Sequence, residues 1–380
     1  MLLSKGCEVE LYTGSPDGEI IGFSNHIVQA LAGFVREPDS RNVEYTTAPF
    51  RCYNRLLCAL VRPRQTLRQY LLGQGNYTLI PGSTLSLGGS QQFHRSDPHN
   101  PYHSYIEQTY HTQVVTASVH INIGIADPEQ LMRAYRLIRV EAPLYLALSA
   151  SSPFLDGQVT GAHSTRWSTF PQTPAYVPLF ESHPHFVRWT EEQLIQGTMQ
   201  NVRHLWVSVR PNGDRRPYDL NRLELRICDL ISDPIALLAI VALLEARILQ
   251  LLADKTLDPL QKSTLTPAEL LDLTRANEVQ AAQHSLEAQL HNWQTGEGIN
   301  AQDWLQHLYA EVFPVAKQHG FSCFLTPLQQ ILTQGNEAQR WLRQFHQQQL
   351  TPQSILQQAI VRMQVQEQDL QTRICQEMAA

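Results

Sequence analysis

Glu8 and Glu10 stand two apart in the stretch KGCEVELY, separated and flanked by Cys7, Val9 and Leu11. That spacing predicts a strand that carries both carboxylates and Tyr12 on one face. The same division recurs three times. NVEYT sets Asn42, Glu44 and Thr46 apart from Val43 and Tyr45, and SVHINIG sets Ser118, His120 and Asn122 apart from Val119, Ile121 and Ile123. NRLELRIC sets Arg222, Glu224 and Arg226 apart from Leu223, Leu225 and Ile227. The wet face of an ordinary half-exposed sheet is usually built from Lys, Thr, Ser and Gln. Here the polar faces hold carboxylates, an imidazole, a carboxamide and guanidinium groups, with no lysine. If the strands share one sheet, Glu8, Glu10, Glu44 and Glu224 converge, and like charges about 4 Å apart repel by roughly 4 kcal/mol at an effective dielectric near 20. A divalent cation with oxygen and imidazole ligands relieves that repulsion. Mg²⁺ in particular is usually held by a few carboxylates together with the phosphates of a substrate. The composition leaves a second reading open, in which Glu8 and Glu10 are solvated and pair with Arg222 and Arg226.

The elements that would position these residues form an α+β pattern. Up to about residue 230, short β-branched runs alternate with turn-rich segments such as IPGSTLSLGGS and RSDPHNPYH; from about 234 the chain reads as helical. Helix starts are marked at Asp233-Pro234, at Thr351-Pro352 and at Thr266-Pro267-Ala268-Glu269, the last a capping box. In the glutamine-rich tail from Gln344 to Gln376, Ile355, Ala359, Ile360 and Met363 recur at helical spacing, which predicts a docking helix.

The totals narrow the function classes. A chain of 380 residues with 43% hydrophobic and 17% charged residues folds as one large domain or two ordinary ones, and a net charge of -6 is not the footprint of a nucleic-acid binder. The six cysteines lie far apart, with no CxxC pair and no leader ahead of them, which favours a reducing cytoplasm. The most apolar stretch, PIALLAIVALLEARILQLLA, is broken by Glu245 and Arg247 and reads as a buried helix rather than a membrane anchor.

The series GCEVEL, NVEYTTAP, SVHINIG, LSASSPFLDG followed by GAHSTRW, and NRLELRICD, in that order, resembles the glutamate-cysteine ligases and related carboxylate-amine ligases, closest to the bacterial type found in cyanobacteria. The resemblance runs from residue 1 to about 295, where LTRANEVQAAQHSLEAQL also fits. It implies a curved antiparallel sheet of glutamine-synthetase type with helices on its outer side, residues 1–295 being the catalytic domain and 296–380 a helical extension packed on it. It implies ATP-dependent joining of the L-glutamate γ-carboxylate to the amine of L-cysteine through a γ-glutamyl phosphate, the first step of glutathione synthesis. On this resemblance Glu8, Glu10, Glu44, His120 and Glu224 would ligate Mg²⁺, with Glu44 and Glu224 also placed in catalysis. Arg226 would bind the phosphoryl group in flight, and Arg166, Asn122 and Glu37 would hold substrate. Glu37 lies an odd number of residues before Glu44, so it reaches the same face only if it precedes that strand. The expected partners are small molecules, with no nucleic acid or membrane, and the C-terminal helices either dock on the sheet or join two subunits of a homodimer. A different amine acceptor, or a non-catalytic nucleotide-binding relative, are the alternatives.

Other signals carry less. His94, His99 and His103 with Asp97 match no closed zinc spacing, and Gly82 to His103 reads as a mobile segment over the substrates. Ser151 and Ser152 shape a turn before Pro153. Cys7 and Cys228 read as core residues rather than a redox pair. His183 and His185 read as loop residues, and Arg215-Arg216 as a solvated turn.

Overall fold

The computed structural model describes residues 2–376. Its centre is a seven-stranded, wholly antiparallel sheet. The strands are β1 (Lys5–Gly14), β2 (Phe34–Arg36), β3 (Asn42–Thr46), β4 (Thr78–Ile80) and β5 (Val119–Gly124). A small hairpin, β6 (Phe154–Leu155) with β7 (Gln158–Val159), separates them from β8 (Val209–Asn212) and β9 (Arg222–Leu225). The order across the sheet is β2-β3-β1-β5-β9-β8, with β4 pairing the end of β1. All four segments with alternating polar residues are therefore neighbours: β3, β1, β5 and β9.

Register puts their polar residues side by side, because directly opposed residues share a face. Glu10 opposes Glu44, Glu8 opposes Thr46 on one side and His120 on the other, and Asn122 opposes Glu224. The alternate residues Val9, Leu11, Val43, Val119, Ile121, Ile123, Leu223 and Leu225 are buried on the opposite face. Helix Pro128–Ser149 covers β8 and β9, and helix Tyr53–Gly75 covers β1 and β4. Between these helices runs Pro234–Ala253, the one described helix long and apolar enough to cross a membrane, and mostly buried. Its charges are spent internally. Glu245 meets Lys5 Nζ at 2.6 Å, and Arg247 pairs with Glu141, which also accepts from Trp293 Nε1 at 3.0 Å.

The predicted helix starts are present: Asp233, Thr266 and Thr351 all cap, and Thr266 with Glu269 closes the capping box. The tail forms helix Pro352–Leu370, which buries Ile355, Ala359, Ile360 and Met363 and packs on helix Tyr53–Gly75. Its buried Glu367 lies 2.8 Å from Arg68 Nε and 3.5 Å from Arg64 Nη1. Position 295 lies inside a hairpin of β10 (Gln289–His291) and β11 (Gly298–Asn300), and helix Ala301–Gln318 beyond it packs on Pro234–Ala253.

Four expectations need correction. The first part of the chain is not made only of short strands, since it holds the helices Tyr53–Gly75, Pro128–Ser149 and His183–Gln196. Pro63 lies inside the first, whose buried stripe from Tyr53 to Leu71 is also interrupted by the charged Arg64, and Pro143 lies inside the second, which is buried almost all round. His183 and His185 open the third helix rather than lying in a loop, with Ser182 as its cap. Cys58 and Cys375, 317 positions apart, are joined in a disulfide that fastens the chain's end to helix Tyr53–Gly75. Finally, the segment from Gly82 is tied down rather than free. Ser83 Oγ accepts from Leu230 N at 2.6 Å, and Arg41, held by Asp39, donates to the carbonyls of Gly89 and Gln92 at 2.7 and 2.6 Å.

Candidate active site

The polar face of the sheet divides into two halves that meet at His120. On one side, Glu8, His120 and Glu224 bring one ligand atom each within 4.8 Å of one another; on the other, Glu10, Glu44 and His120 do the same. Nδ1 of His120 lies 3.0 Å from Glu8 Oε2 and 3.7 Å from Glu224 Oε1. Nε2 lies 3.9 Å from Glu10 Oε1 and 3.1 Å from Ser118 Oγ, which itself donates to Glu10 Oε2 at 2.8 Å. One imidazole thus faces both halves.

Their charge balance differs. Glu224 is fully buried and saturated: Arg210 donates from Nε and Nη2 at 2.7 and 3.1 Å, and Arg226 Nη1 and Asn212 Nδ2 donate as well. Burial works to raise its carboxyl, yet the adjacent Arg210 and Arg226 hold it well below the usual carboxylate range. Glu8 is also held low: burial and Glu224 push it up, but the hydrogen bond with His120 and the charges of His120 and Arg226 prevail. The other half makes no such direct contacts. Among the described residues no lysine or arginine pairs with Glu10, Glu37 or Glu44. Burial, then Glu8 and Glu10, push Glu44 up to about 8, and burial with Glu10 and Glu44 drives Glu37 well above its ordinary range.

Glu37 reaches this face from β2. Phe34 and Val35 oppose Tyr45 and Glu44, so Glu37, just past the strand's end, falls on the face of Glu44. Arg166 and Arg226 join Glu10, Glu37, His120, Phe170 and Trp206 around an open cavity of about 100 Å³. Arg166 is anchored by donating to the carbonyls of Ile227 and Arg226 at 3.0 and 3.1 Å, beside Asp229 at 3.8 Å. Asp229 is in turn held by Ser151 N, Ser152 Oγ and Ser164 Oγ, which gives the two serines a structural task. Asn122 donates to Glu8 Oε1 at 3.1 Å. Three polar atoms on this face, Nε of Arg166, Nε of Arg226 and Oδ1 of Asn122, are buried without a partner among the described residues.

All nine residues singled out in the sequence thus lie on or beside one sheet face. Sequence reasoning missed Arg210 and Asn212. They alternate on β8, but Pro211 between them hides the strand; the proline is tolerated because β8 is the sheet's edge. Cys7 and Cys228 lie buried and unpaired, Cys228 pushed up to about 12 chiefly by burial.

The donor set, rich in carboxylate oxygen with a single imidazole, suits a hard divalent cation such as Mg²⁺. The unpaired Glu10–Glu37–Glu44 half is where positive charge is wanting, and the orphaned guanidinium donors suit an anion. A metal-free protein should therefore lose stability as pH rises. Glu44 keeps its proton in the folded state up to about 8, against an ordinary value of 4.5, so its contribution is complete below 4.5 and is lost as pH climbs to 8. Glu8 and Glu224, shifted the opposite way, act below that window. Melting of chelator-treated protein across this interval should show a falling midpoint that Mg²⁺ restores most at the alkaline end; a rising midpoint would contradict the charge assignment.

Comparison with known proteins gives a consistent picture. The profile of Glutamate-cysteine ligase family 2 matches residues 4–370. The chain is 31% identical over 207 residues, 54% of its length, to "Putative glutamate--cysteine ligase 2-1" of Frankia alni, and this match spans about half, 51%, of that relative. It is 25% identical over 272 residues to "Putative glutamate--cysteine ligase 2-3" of Rubrobacter xylanophilus, covering 71% of this chain and 68% of the relative. Among solved structures, the glutamate–cysteine ligase of Francisella tularensis in complex with AMP superimposes with a TM-score of 0.76 at 11% identity, covering 100% of this chain and 93% of that one. The bifunctional glutathione synthetase of Pasteurella multocida gives 0.73 at 15% identity, covering 98% and 53%. At these identities the two structures establish the shared fold.

Proposed function

Because this chain belongs to glutamate-cysteine ligase family 2, we propose that its polar sheet face joins the γ-carboxylate of L-glutamate to the amine of L-cysteine, with ATP converted to ADP and phosphate. In the first step a γ-carboxylate oxygen attacks the γ-phosphorus of ATP and ADP leaves, giving γ-glutamyl phosphate. In the second, the cysteine amine attacks the acyl carbon, phosphate departs and the nitrogen loses a proton. The observation that carries this reading is the pairing of unmet charges on one face: carboxylates lacking a cation at Glu10, Glu37 and Glu44, beside unfilled donors on Arg166 and Arg226. A cation bound to a polyanion answers both needs, and phosphoryl transfer asks chiefly for positioning and charge neutralisation.

Glu8, Glu10, Glu44, His120 and Glu224 would hold Mg²⁺, which neutralises the nucleotide phosphates when bound. Arg226, fixed by Glu224, points its charge at the phosphoryl oxygens. Arg166 holds the α-carboxylate of glutamate, its guanidinium plane set by the two backbone carbonyls. Asn122, tied to Glu8, and Glu37, at the rim of the cavity, complete the substrate contacts. Replacing cysteine by hydroxylamine tests the intermediate directly: γ-glutamyl hydroxamate forms only if the γ-carboxylate is activated, and its absence in a protein that turns over ATP would refute the acyl phosphate.

Arg166→Lys should raise KM for glutamate at least about tenfold, because an ammonium cannot keep both carbonyl contacts and still meet a carboxylate in two places. KM for ATP should hardly change. A shift confined to ATP would reassign the residue.

A further inference from the structure

Arg215 and Arg216 occupy the turn between β8 and β9, and the structure treats them differently. Arg215 is solvated as its sequence suggests, 79% exposed and paired with Asp219. Arg216 is half-buried, and its Nε and Nη1 are buried with no hydrogen-bond partner among the described residues. Burial first, and then the nearby charges of Arg210, Arg226 and Arg203, disfavour its charged form, with Glu224 acting the other way. Glu224 is already engaged by Arg210, Arg226 and Asn212. A further guanidinium is thus held beside a cluster of its own sign with its donors unfilled. Each buried unmet N–H is destabilising, and like charges nearby add to this. Such an arrangement is compensated by a ligand of several negative charges rather than by a single carboxylate.

The placement along the sheet says which ligand. Arg166 borders the cavity at the Glu10 and Glu37 end of the carboxylate row. The turn that carries Arg216 borders, through Asp214, Asn221 and Arg222, a second cavity shared with Glu8 and Asn122. Arg216 itself lies in the turn joining β8 and β9 at one edge of the sheet, whereas the cavity of Arg166 reaches Glu10 on β1 and Glu37 beyond β2 toward the other edge. We propose that Arg216 is a phosphate-binding residue that takes an oxygen of the nucleotide beyond its α-phosphate, on the β8–β9 side of the carboxylates. The inference rests on the Mg-ATP reading above. It assigns Arg166 to the amino-acid end and Arg216 to the polyphosphate end.

Calorimetric titration of the full chain with Mg-ATP, Mg-ADP and AMP tests it, using wild type, Arg216→Gln and Arg216→Lys. Arg216→Gln should weaken ATP and ADP about tenfold or more, as for loss of one charge-assisted contact, and leave AMP within about twofold. KM for glutamate should be unchanged, and Arg216→Lys should recover part of the loss. Equal ATP affinity in wild type and Arg216→Gln overturns the inference while leaving the ligase reading intact. A parallel loss for AMP and ATP also overturns it, since that marks a merely structural role. A wild type that binds none of the nucleotides overturns the reading beneath it.

Discussion

Glu224→Gln is expected to abolish ligation and to destabilise the protein by about 3–5 kcal/mol, the usual consequence of deleting one member of a buried, hydrogen-bonded ion pair. The carboxylate has no exposed surface, and it is the shared acceptor for Arg210, Arg226 and Asn212. An amide keeps the shape but removes the charge that holds two buried guanidinium groups. Arg226 would then lose the contact that, on the proposed reading, orients it toward the transferred phosphoryl group. Chemical denaturation of the purified variant, with activity measured in parallel, checks both halves of this expectation. Unchanged stability would mean that the two arginines find their compensation elsewhere.

Glu10→Gln should remove activity just as fully, by about a thousandfold or more as expected for loss of a ligand to an essential metal, with the opposite effect on the metal-free fold. Glu10 faces Glu44 across the β1–β3 ladder, and among the described residues its side chain accepts from Ser118 Oγ and lies 3.9 Å from a His120 nitrogen. Deleting its charge relieves repulsion with Glu44 and Glu37, both of which are raised in part by Glu10. The chelator-treated variant should melt no lower than wild type, and the gain that Mg²⁺ gives wild type should shrink. Full activity, or a strong loss of metal-free stability, would contradict the division of the face into compensated and uncompensated halves.

Much of this site was legible in the sequence because strands obey a period of two. Glu8, Glu10, Glu44, His120, Asn122 and Glu224 each sit in a run whose alternate residues are apolar, and burial of that apolar set fixes which way the carboxylates face. What pattern cannot supply is pairing between distant segments. The disulfide of Cys58 with Cys375 spans 317 positions, and Glu37 reaches the site only because β2 lies against β3. Arg210 was hidden by Pro211, which reads as a strand breaker until the strand proves to be an edge. Helix Tyr53–Gly75 was obscured by its internal Pro63 and buried Arg64, and Pro128–Ser149 by Pro143 and by burial on more than one side. Arg215 and Arg216 are indistinguishable as letters, and only the turn's geometry leaves one in solvent and buries the Nε and Nη1 of the other.

The central claim is that this face activates glutamate with ATP and passes the acyl group to cysteine. The most direct measurement is phosphate release from Mg-ATP by the purified chain with glutamate, in the presence and absence of cysteine and of other amino acids or simple amines, with products identified by mass spectrometry. Release stimulated most by cysteine, with γ-glutamylcysteine as product, is the predicted result. Stimulation by another amine would keep the chemistry and replace the acceptor, and no turnover with any acceptor would contradict the account.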